Sequence, residues 1–269
     1  MNQERIGIMQ GRLTDPPNKE GLDWYPVDCW ENEFSVAKEL SLASIEFVID
    51  RAMRNDNPIW SKNGRAKIKE MYKFYHMTPI ASCANFVIDH SLSSKSTIFK
   101  VREVINYLAE LNFRYIIVPL FGESNPESDS SFKIASSIAQ LANHASKNKI
   151  KLLLESNLSG IDTKLFLDQL GNKNIGIVYD IGNAVYCEHD IALDMNVLDE
   201  NIVHIHLKDK NEQGDNVVLG DGKVNFSQFF DILKMNKYTG DFTLETSRGK
   251  NAISTATANI EFIRRSFHT

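Results

Sequence analysis

Short apolar runs alternate with longer amphipathic segments along the whole chain. Eight runs of five to eight residues are rich in Val, Ile, Leu and Phe, and they recur about every 25 to 40 residues. Such runs, bounded by polar segments, are typical of buried strands in a parallel sheet. The predicted strands span residues 5–9, 44–49, 79–86, 115–120, 151–156, 175–180, 203–208 and 242–246.

Helical patterns lie between these strands. Segment 28–41 has apolar residues at helical spacing with Asp28 as a candidate N-cap, and segment 163–171 ends at Gly171, a typical C-cap. The other predicted helices lie within 97–113, 132–148, 226–240 and 253–267. Strand followed by helix, repeated eight times, predicts an α/β protein of the (β/α)8 TIM-barrel class. A doubly wound open sheet is the alternative, but no GxGxxG follows the first strand.

Composition and charge indicate the number of domains and argue against some classes of partner. The 269 residues contain no linker or low-complexity segment, so we expect one domain spanning residues 1–269. The formal net charge of −5 argues against a nucleic-acid partner or an anionic membrane partner. The three cysteines are scattered, no apolar run is long enough to span a bilayer, and the first ten residues lack a signal-peptide pattern. We therefore expect a soluble, cytoplasmic protein.

Three long polar segments follow predicted strands one, two and seven. They span residues 10–26, 50–64 and 210–225. In a TIM barrel, the segments that follow the strands lie on the face that carries the active site. Long loops there are expected to serve function.

The chemistry is concentrated where the last four strands end. Strand five ends in Glu155, strand six in Asp180 and strand eight in Glu245, and strand seven carries His204 and His206. In a barrel these residues face one cavity, where three carboxylates repel one another unless a cation lies between them. Oxygen ligands with one imidazole suit a single divalent ion: Mn²⁺, Mg²⁺, Co²⁺ or Zn²⁺.

Each of these residues also has a simpler interpretation. A lone carboxylate at a strand end is often an N-cap or a solvated loop residue, but four consecutive strands ending this way favour a shared site. His204 lies one layer deeper than His206 and is more typical of a packed or supporting histidine. Lys208 and Asp209 are compatible with surface charges.

Several segments resemble a known superfamily. The stretches GIMQGRL, LLLES, YDIGN, HIHLKD and LGDGKVNF together resemble the xylose-isomerase-like TIM-barrel superfamily of sugar isomerases and epimerases. From about residue 150 onward, the DIGN, HxKD and GxGxVxF patterns are most similar to those of L-ribulose/L-xylulose-5-phosphate 3-epimerases. The resemblance implies a (β/α)8 barrel and a small-molecule sugar or sugar-phosphate substrate. It also allows a homo-oligomer.

The resemblance assigns roles to the strand-end residues. It implies that the metal ligands are Glu155, Asp180, His206 and Glu245, and that Glu155 and Glu245 are the catalytic acid/base pair. The implied reaction is epimerisation or aldose–ketose isomerisation by proton transfer through a metal-stabilised cis-enediolate. A dehydratase of the inosose type and a non-catalytic sugar-binding barrel are the alternatives.

Further polar residues near the strand ends are predicted to contact the substrate: Gln10, Arg12, Glu46, Asn85, Asn157, Asn183, His204, Lys208 and Arg248. Arg12, Lys208 and Arg248 are candidates to pair with a phosphate or carboxylate. Free-ketose epimerases typically have histidine where Asn183 stands, which favours a phosphorylated or otherwise acidic substrate. The zinc DNA-repair endonucleases of this superfamily need extra histidines where this chain has Glu46, Asn85 and Asn183, which disfavours that activity.

Overall fold

Eight parallel strands close into a barrel in the order of the chain. The structure is a computed structural model, described here for residues 6–16, 24–127 and 131–268. Each strand pairs with its sequence neighbours, and β8 closes on β1, which confirms the predicted (β/α)8 barrel. The strands are β1 Ile6–Met9, β2 Ser44–Ile49, β3 Ala81–Ala84, β4 Tyr115–Pro119, β5 Lys151–Glu155, β6 Ile175–Asp180, β7 Ile202–Leu207 and β8 Asp241–Leu244.

Nine α-helices lie in the described ranges, and all six predicted helices are among them. They are α1 Asn32–Glu39, α2 Lys62–Phe74, α3 Lys95–Glu110, α4 Ser131–Lys147, α5 Gly160–Leu170, α6 Ile181–Tyr186, α7 Ile191–Leu198, α8 Phe226–Met235 and α9 Ala252–His268. Gly171 ends α5 in the left-handed conformation at a φ of 57°, as predicted for a C-cap. Asp28 is not the N-cap of α1, because a turn precedes the helix and Glu31 takes that position.

Helices α2, α6 and α7 were not predicted from the hydrophobic pattern. Helix α2 buries only Ile68, Met71 and Tyr72, so its apolar stripe is too narrow to stand out. The predicted loop 50–64 therefore ends inside α2, whose first turn is capped by the Ser61 hydroxyl accepting from the Gly64 N–H. Helices α6 and α7 have six and eight residues, too short for a clear helical period.

A register shift between β6 and β7 sets the level of the candidate site residues. Ile177 pairs with Ile202 and the next residue, Val178, pairs with His204, so β7 has one extra residue at this point. Beyond the shift Asp180 pairs with His206. Without it, Asp180 would be level with Ile205, whose side chain points to the opposite face of the strand.

The interior of the barrel is apolar on one side below the candidate site. Cys83, Ile117 and Leu153 lie side by side in register on β3, β4 and β5, and they pack in one cluster with Val178 of β6. Leu153 and Val178 precede Glu155 and Asp180 by two residues, so each pair shares a strand face. Polar side chains therefore begin above an apolar layer. None of the described helices is long and apolar enough to cross a membrane.

Asp209 organises the long loop between β7 and α8. Its side chain is fully buried, and its two oxygens accept hydrogen bonds from the backbone N–H groups of Lys210, Gly220, Gly222 and Val224 at 2.9–3.0 Å. The interpretation of Asp209 as a surface charge is therefore wrong. One carboxylate ties both ends of this loop to the end of β7.

Replacing Asp209 by alanine is expected to destabilise the fold. Asp209→Ala leaves several buried N–H groups without an acceptor, which costs about 2–4 kcal/mol of unfolding free energy. Urea denaturation measures the loss. Asp215→Ala is the matched control, because Asp215 is an exposed carboxylate of the same loop, and an equal loss in both variants would contradict the role given to Asp209.

Candidate metal centre

The four residues predicted as metal ligands converge at the C-terminal end of the barrel. Glu155, Asp180, His206 and Glu245 each offer a ligand atom, and these atoms all lie within 4.8 Å of one another. Nδ1 of His206 is 2.9 Å from Oε2 of Glu245 and 3.7 Å from Oε1 of Glu155. The closed barrel thus brings together side chains that are up to 90 residues apart in the chain.

The donor atoms of this cluster suit a divalent cation. Nδ1 of His206 and Oε2 of Glu245 are both buried, and apart from their mutual approach at 2.9 Å neither has a hydrogen-bond partner among the described residues. Buried polar atoms are rarely left without a partner, so each is available as a ligand. Carboxylate oxygens with one imidazole nitrogen match the preferences of Mn²⁺, Mg²⁺, Co²⁺ and Zn²⁺. The residues present therefore fit the metal that the resemblance implies.

Lys208 lies against two of the four candidate ligands. Its ammonium is 2.6 Å from Oδ2 of Asp180 and 2.9 Å from Oε1 of Glu245, and its side chain is buried. Lys208 was predicted to contact the substrate. Its charge is paired with these carboxylates, and its contact with a substrate stays a prediction. The alternative of a surface charge is wrong.

The pKa values of Glu155 and Glu245 are shifted in opposite directions. Burial alone would raise the pKa of Glu245, but Lys208, His206 and Arg12 hold that pKa well below its ordinary value. Burial raises the pKa of Glu155, and the nearby charge of Glu245 adds to the effect, while His206 opposes it. Two carboxyl groups at one site with acidities shifted in opposite directions are a frequent feature of acid/base pairs.

The second ring nitrogen of His206 faces away from Glu155 and Glu245, toward Glu46 of β2. His206 Nε2 lies 3.3 Å from Oε2 of Glu46, and His204 Nε2 lies 3.1 Å from the same oxygen. The two histidines hold the pKa of Glu46 at about 2 despite its burial. Burial opposes the protonated form of His206, but the carboxylates of Glu46 and Glu155 raise its pKa well above the ordinary value.

These contacts enclose two residues that were predicted to contact the substrate. Glu46 and His204 are each only 1% exposed and contact one another, and His204 also lies 2.9 Å from the Thr243 hydroxyl. Their side chains contact one another, and their predicted contact with a substrate stays a prediction. Sequence reasoning placed His204 one layer deeper than His206, which agrees with its burial, but it missed Thr243.

The DIGN segment gives Asp180 two roles. Oδ1 of Asp180 accepts from the backbone N–H of Asn183 and caps α6, so only Oδ2 faces Lys208. Gly182 lies so close to Lys208 that an added Cβ would approach its Cγ to 2.9 Å. Glycine is therefore required for the start of α6 to pack against the lysine.

The remaining predicted substrate contacts are spread over the rim. Gln10 is buried and its Oε1 accepts from the Val48 N–H, while Asn85 is buried and accepts from the Cys83 thiol. Asn157 is exposed and Asn183 is half-buried, so both are open to the solvent above the centre.

The two predicted arginines are held by the segment that follows β1. Nε of Arg248 donates to the Gly11 carbonyl, and its guanidinium lies 5.6 Å from the ring centre of Trp24. Arg12 is buried and contacts the Met9 sulfur at 3.6 Å. Both arginines are therefore anchored at the mouth rather than extended into solvent. Residues 17–23 of the predicted loop 10–26 lie outside the described residues.

Glu33 of α1 is a structural residue that sequence reasoning missed. It is buried, and its carboxylate accepts from the backbone N–H groups of Gly11 and Leu13 and from the Thr14 hydroxyl. A glutamate on the apolar face of a helix, beside the buried Phe34, was the available signal. It fixes the segment that carries Gln10 and Arg12.

Sequence comparison identifies the family. The sequence profile of the xylose isomerase-like TIM barrel family matches residues 34–266. The chain belongs to the xylose isomerase-like TIM-barrel family. This match confirms the resemblance and includes all four candidate ligands.

Curated relatives of this chain are named as sugar epimerases. The L-ribulose-5-phosphate 3-epimerase UlaE of Salmonella heidelberg (strain SL476) is 23% identical over 238 residues, which cover 81% of this chain and 82% of the relative. These relatives agree with the predicted enzyme of the isomerase class.

Solved structures of the family share the fold. An L-ribulose 3-epimerase superposes with a TM-score of 0.76 at 17% identity, covering 98% of this chain and 94% of its own. The D-allulose 3-epimerase from Methylomonas sp. superposes with a TM-score of 0.75 at 16% identity, covering 97% of each chain.

Removing the Lys208 ammonium is expected to destabilise the metal-free protein in a pH-dependent way. Lys208→Met removes the ammonium from the buried charges of Asp180 and Glu245 and leaves Glu245 its contact with His206, which costs about 3–5 kcal/mol of unfolding free energy near pH 7. The lowered pKa of Glu245 stabilises the fold above the unfolded pKa of about 4.3, and this contribution is lost as the pH falls. The difference from wild type should therefore shrink below about pH 4.

Urea denaturation of chelator-treated protein at neutral and acidic pH measures this difference. Lys223→Met is the matched control, because Lys223 is exposed on the adjoining loop. A loss that does not change with pH would show that Lys208 acts through packing rather than charge.

Proposed function

We propose that the protein is a divalent-metal-dependent epimerase of ketoses or ketose phosphates that inverts the carbon next to the carbonyl. One observation carries the proposal: Glu155 and Glu245 approach the same ring nitrogen of His206 from two different strands, with Asp180 beside them. Inversion of a carbon centre needs one group to remove a proton and a second to return one to the other face. Two glutamates that approach one position from different strands would supply that pair.

Four side chains would hold the metal: Glu155, Asp180, His206 and Glu245. A bound divalent ion would act as a Lewis acid that makes the C–H bond next to the ketose carbonyl easier to break. We propose that the ion is Mn²⁺, Mg²⁺, Co²⁺ or Zn²⁺, since this donor set suits all of them.

The side chains around the centre provide the proton chemistry. Glu155 and Glu245 take up and return protons at their carboxylate oxygens. Lys208 fixes Glu245 and Asp180 through its two ion pairs and adds a positive charge that favours the developing negative charge on the substrate oxygen. The apolar layer below the centre excludes water from the inner side of the barrel.

We propose a ketose or a ketose phosphate as the substrate class. The curated relatives are named as epimerases of L-ribulose 5-phosphate, whereas the solved relatives include epimerases of free ketoses. The asparagine at position 183 favours the phosphorylated class. Arg12 and Arg248, anchored at the mouth, are the nearest described candidates to attract an anionic group.

Solvent deuterium exchange tests the reaction. The Mn²⁺-loaded protein in D₂O is incubated with ketose 5-phosphates and with free ketoses, and label is located by NMR. Label at C3 supports epimerisation, label at C1 or C2 indicates aldose–ketose isomerisation, and a dehydrated product indicates a lyase. No exchange across the panel would contradict the proposed proton transfer and favour a sugar-binding barrel.

Glutamine variants test the assignment of the acid/base pair. Glu155→Gln and Glu245→Gln should each lower the exchange rate by about 10²–10⁴-fold, the usual contribution of a positioned acid or base. Glu261→Gln, an exposed position on α9, is the control and should retain the wild-type rate. Exchange at the wild-type rate in either active-site variant would refute its role.

Metal analysis separates the two histidines. His206→Asn removes one of the four proposed ligands and should lower the bound metal per chain, while His204→Asn should leave the metal stoichiometry unchanged. Elemental analysis of both variants after dialysis measures this ratio. Equal loss of metal in both would disprove the assignment of His206 as the ligand.

A further inference from the structure

One carboxylate lies between both histidines of β7. Oε2 of Glu46 is 3.1 Å from Nε2 of His204 and 3.3 Å from Nε2 of His206, and Oε1 of Glu46 is 3.2 Å from the same His206 nitrogen. All three side chains are at most 1% exposed. Water is therefore a poor substitute for any of these contacts.

Both ring nitrogens of His206 face a carboxylate, so the contact with Glu46 would select the tautomer once a metal ion binds beside Glu155 and Glu245. A carboxylate has only acceptors, so a ring nitrogen at hydrogen-bond distance from it is favoured as an N–H donor. With hydrogen on Nε2, the lone pair of Nδ1 points toward Glu155 and Glu245. The opposite tautomer would place a lone pair against Glu46 and an N–H group among the proposed ligands.

His206 depends on Glu46 more than His204 does. Nε2 of His204 has a second partner in the Thr243 hydroxyl at 2.9 Å. Among the described residues, Glu46 is the one acceptor at Nε2 of His206. Losing Glu46 would therefore leave Nε2 of His204 one partner and leave Nε2 of His206 none among the described residues.

We propose that Glu46 is a positioning residue that holds His206 as the Nε2–H tautomer, so that Nδ1 is the metal-binding nitrogen. The inference rests on the metal centre proposed above and adds a residue outside that ligand set. A carboxylate behind a metal-bound histidine fixes the ring orientation and makes the coordinating nitrogen a better donor. It also makes Glu46 part of the metal centre without contact with the substrate.

Two measurements on the full-length protein test this role. The first locates hydrogen on His206 by ¹⁵N NMR of the Zn²⁺-loaded wild type, with the His206→Asn spectrum used for assignment. The second measures the dissociation constants of Zn²⁺ and Co²⁺ by chelator competition in wild type and in Glu46→Gln. An amide can donate as well as accept, so Glu46→Gln should no longer select one tautomer, and metal affinity should fall by about 10–100-fold.

Two further variants distinguish positioning from general damage. Glu46→Asp keeps a carboxylate and should recover part of the lost affinity. Thr243→Val removes the hydroxyl at His204 but leaves the Glu46–His206 contact, so its metal affinity should match that of wild type. Circular dichroism and thermal melting establish that each variant is folded.

The outcomes separate this inference from the proposed function. Wild type with hydrogen on Nδ1 of His206 overturns the inference even if no Glu46 variant folds. Wild-type affinity in Glu46→Gln, with the same tautomer, overturns it while the metal centre stands. Wild type that binds no divalent metal contradicts the metal centre and this inference together.

Discussion

The candidate metal centre depends on the contacts of the His206 imidazole. This ring lies within 4 Å of three carboxylates, Glu46 at one ring nitrogen and Glu155 and Glu245 at the other. Like charges at such distances destabilise a fold unless cations are interposed. His206 and Lys208 supply the cations in the metal-free protein. A divalent ion would supply part of this positive charge and would replace the proton on Nδ1 of His206.

Two further carboxylates hold the backbone around the centre rather than take part in it. Asp209 accepts four backbone N–H groups in the loop after β7, and Glu33 accepts two after β1. Both are buried and bond mainly to the backbone, so they fix loops that regular secondary structure does not. The rigidity of the mouth thus depends on residues that never face a ligand.

Much of this architecture follows from local sequence pattern. The apolar runs predicted the strands because burial on both faces of a barrel strand leaves a continuous apolar signal. Glu155, Asp180, His206 and Glu245 were predicted to share a cavity because parallel strands end on one face, and the structure brings them together. Helix α6 was too short to show a helical period, and α2 was missed because most of its residues are polar.

Contacts between side chains on different strands of the barrel could not be predicted from the sequence. Glu46 and His206 are separated by 160 positions, and no periodicity relates them. The pairing of Lys208 with Asp180 and Glu245 depends on how far a long side chain folds back toward the strand ends, which strand period does not specify. Asp209 looked like a surface charge because its partners are backbone groups, which carry no sequence signature.

The register shift between β6 and β7 has a consequence for comparing and engineering such barrels. The extra residue in β7 places His206, and not Ile205, level with Asp180. A pairing of β6 and β7 without the extra residue would place the outward-facing Ile205 beside Asp180. A graft of β7 onto another barrel of this kind must therefore carry the bulge together with the histidine.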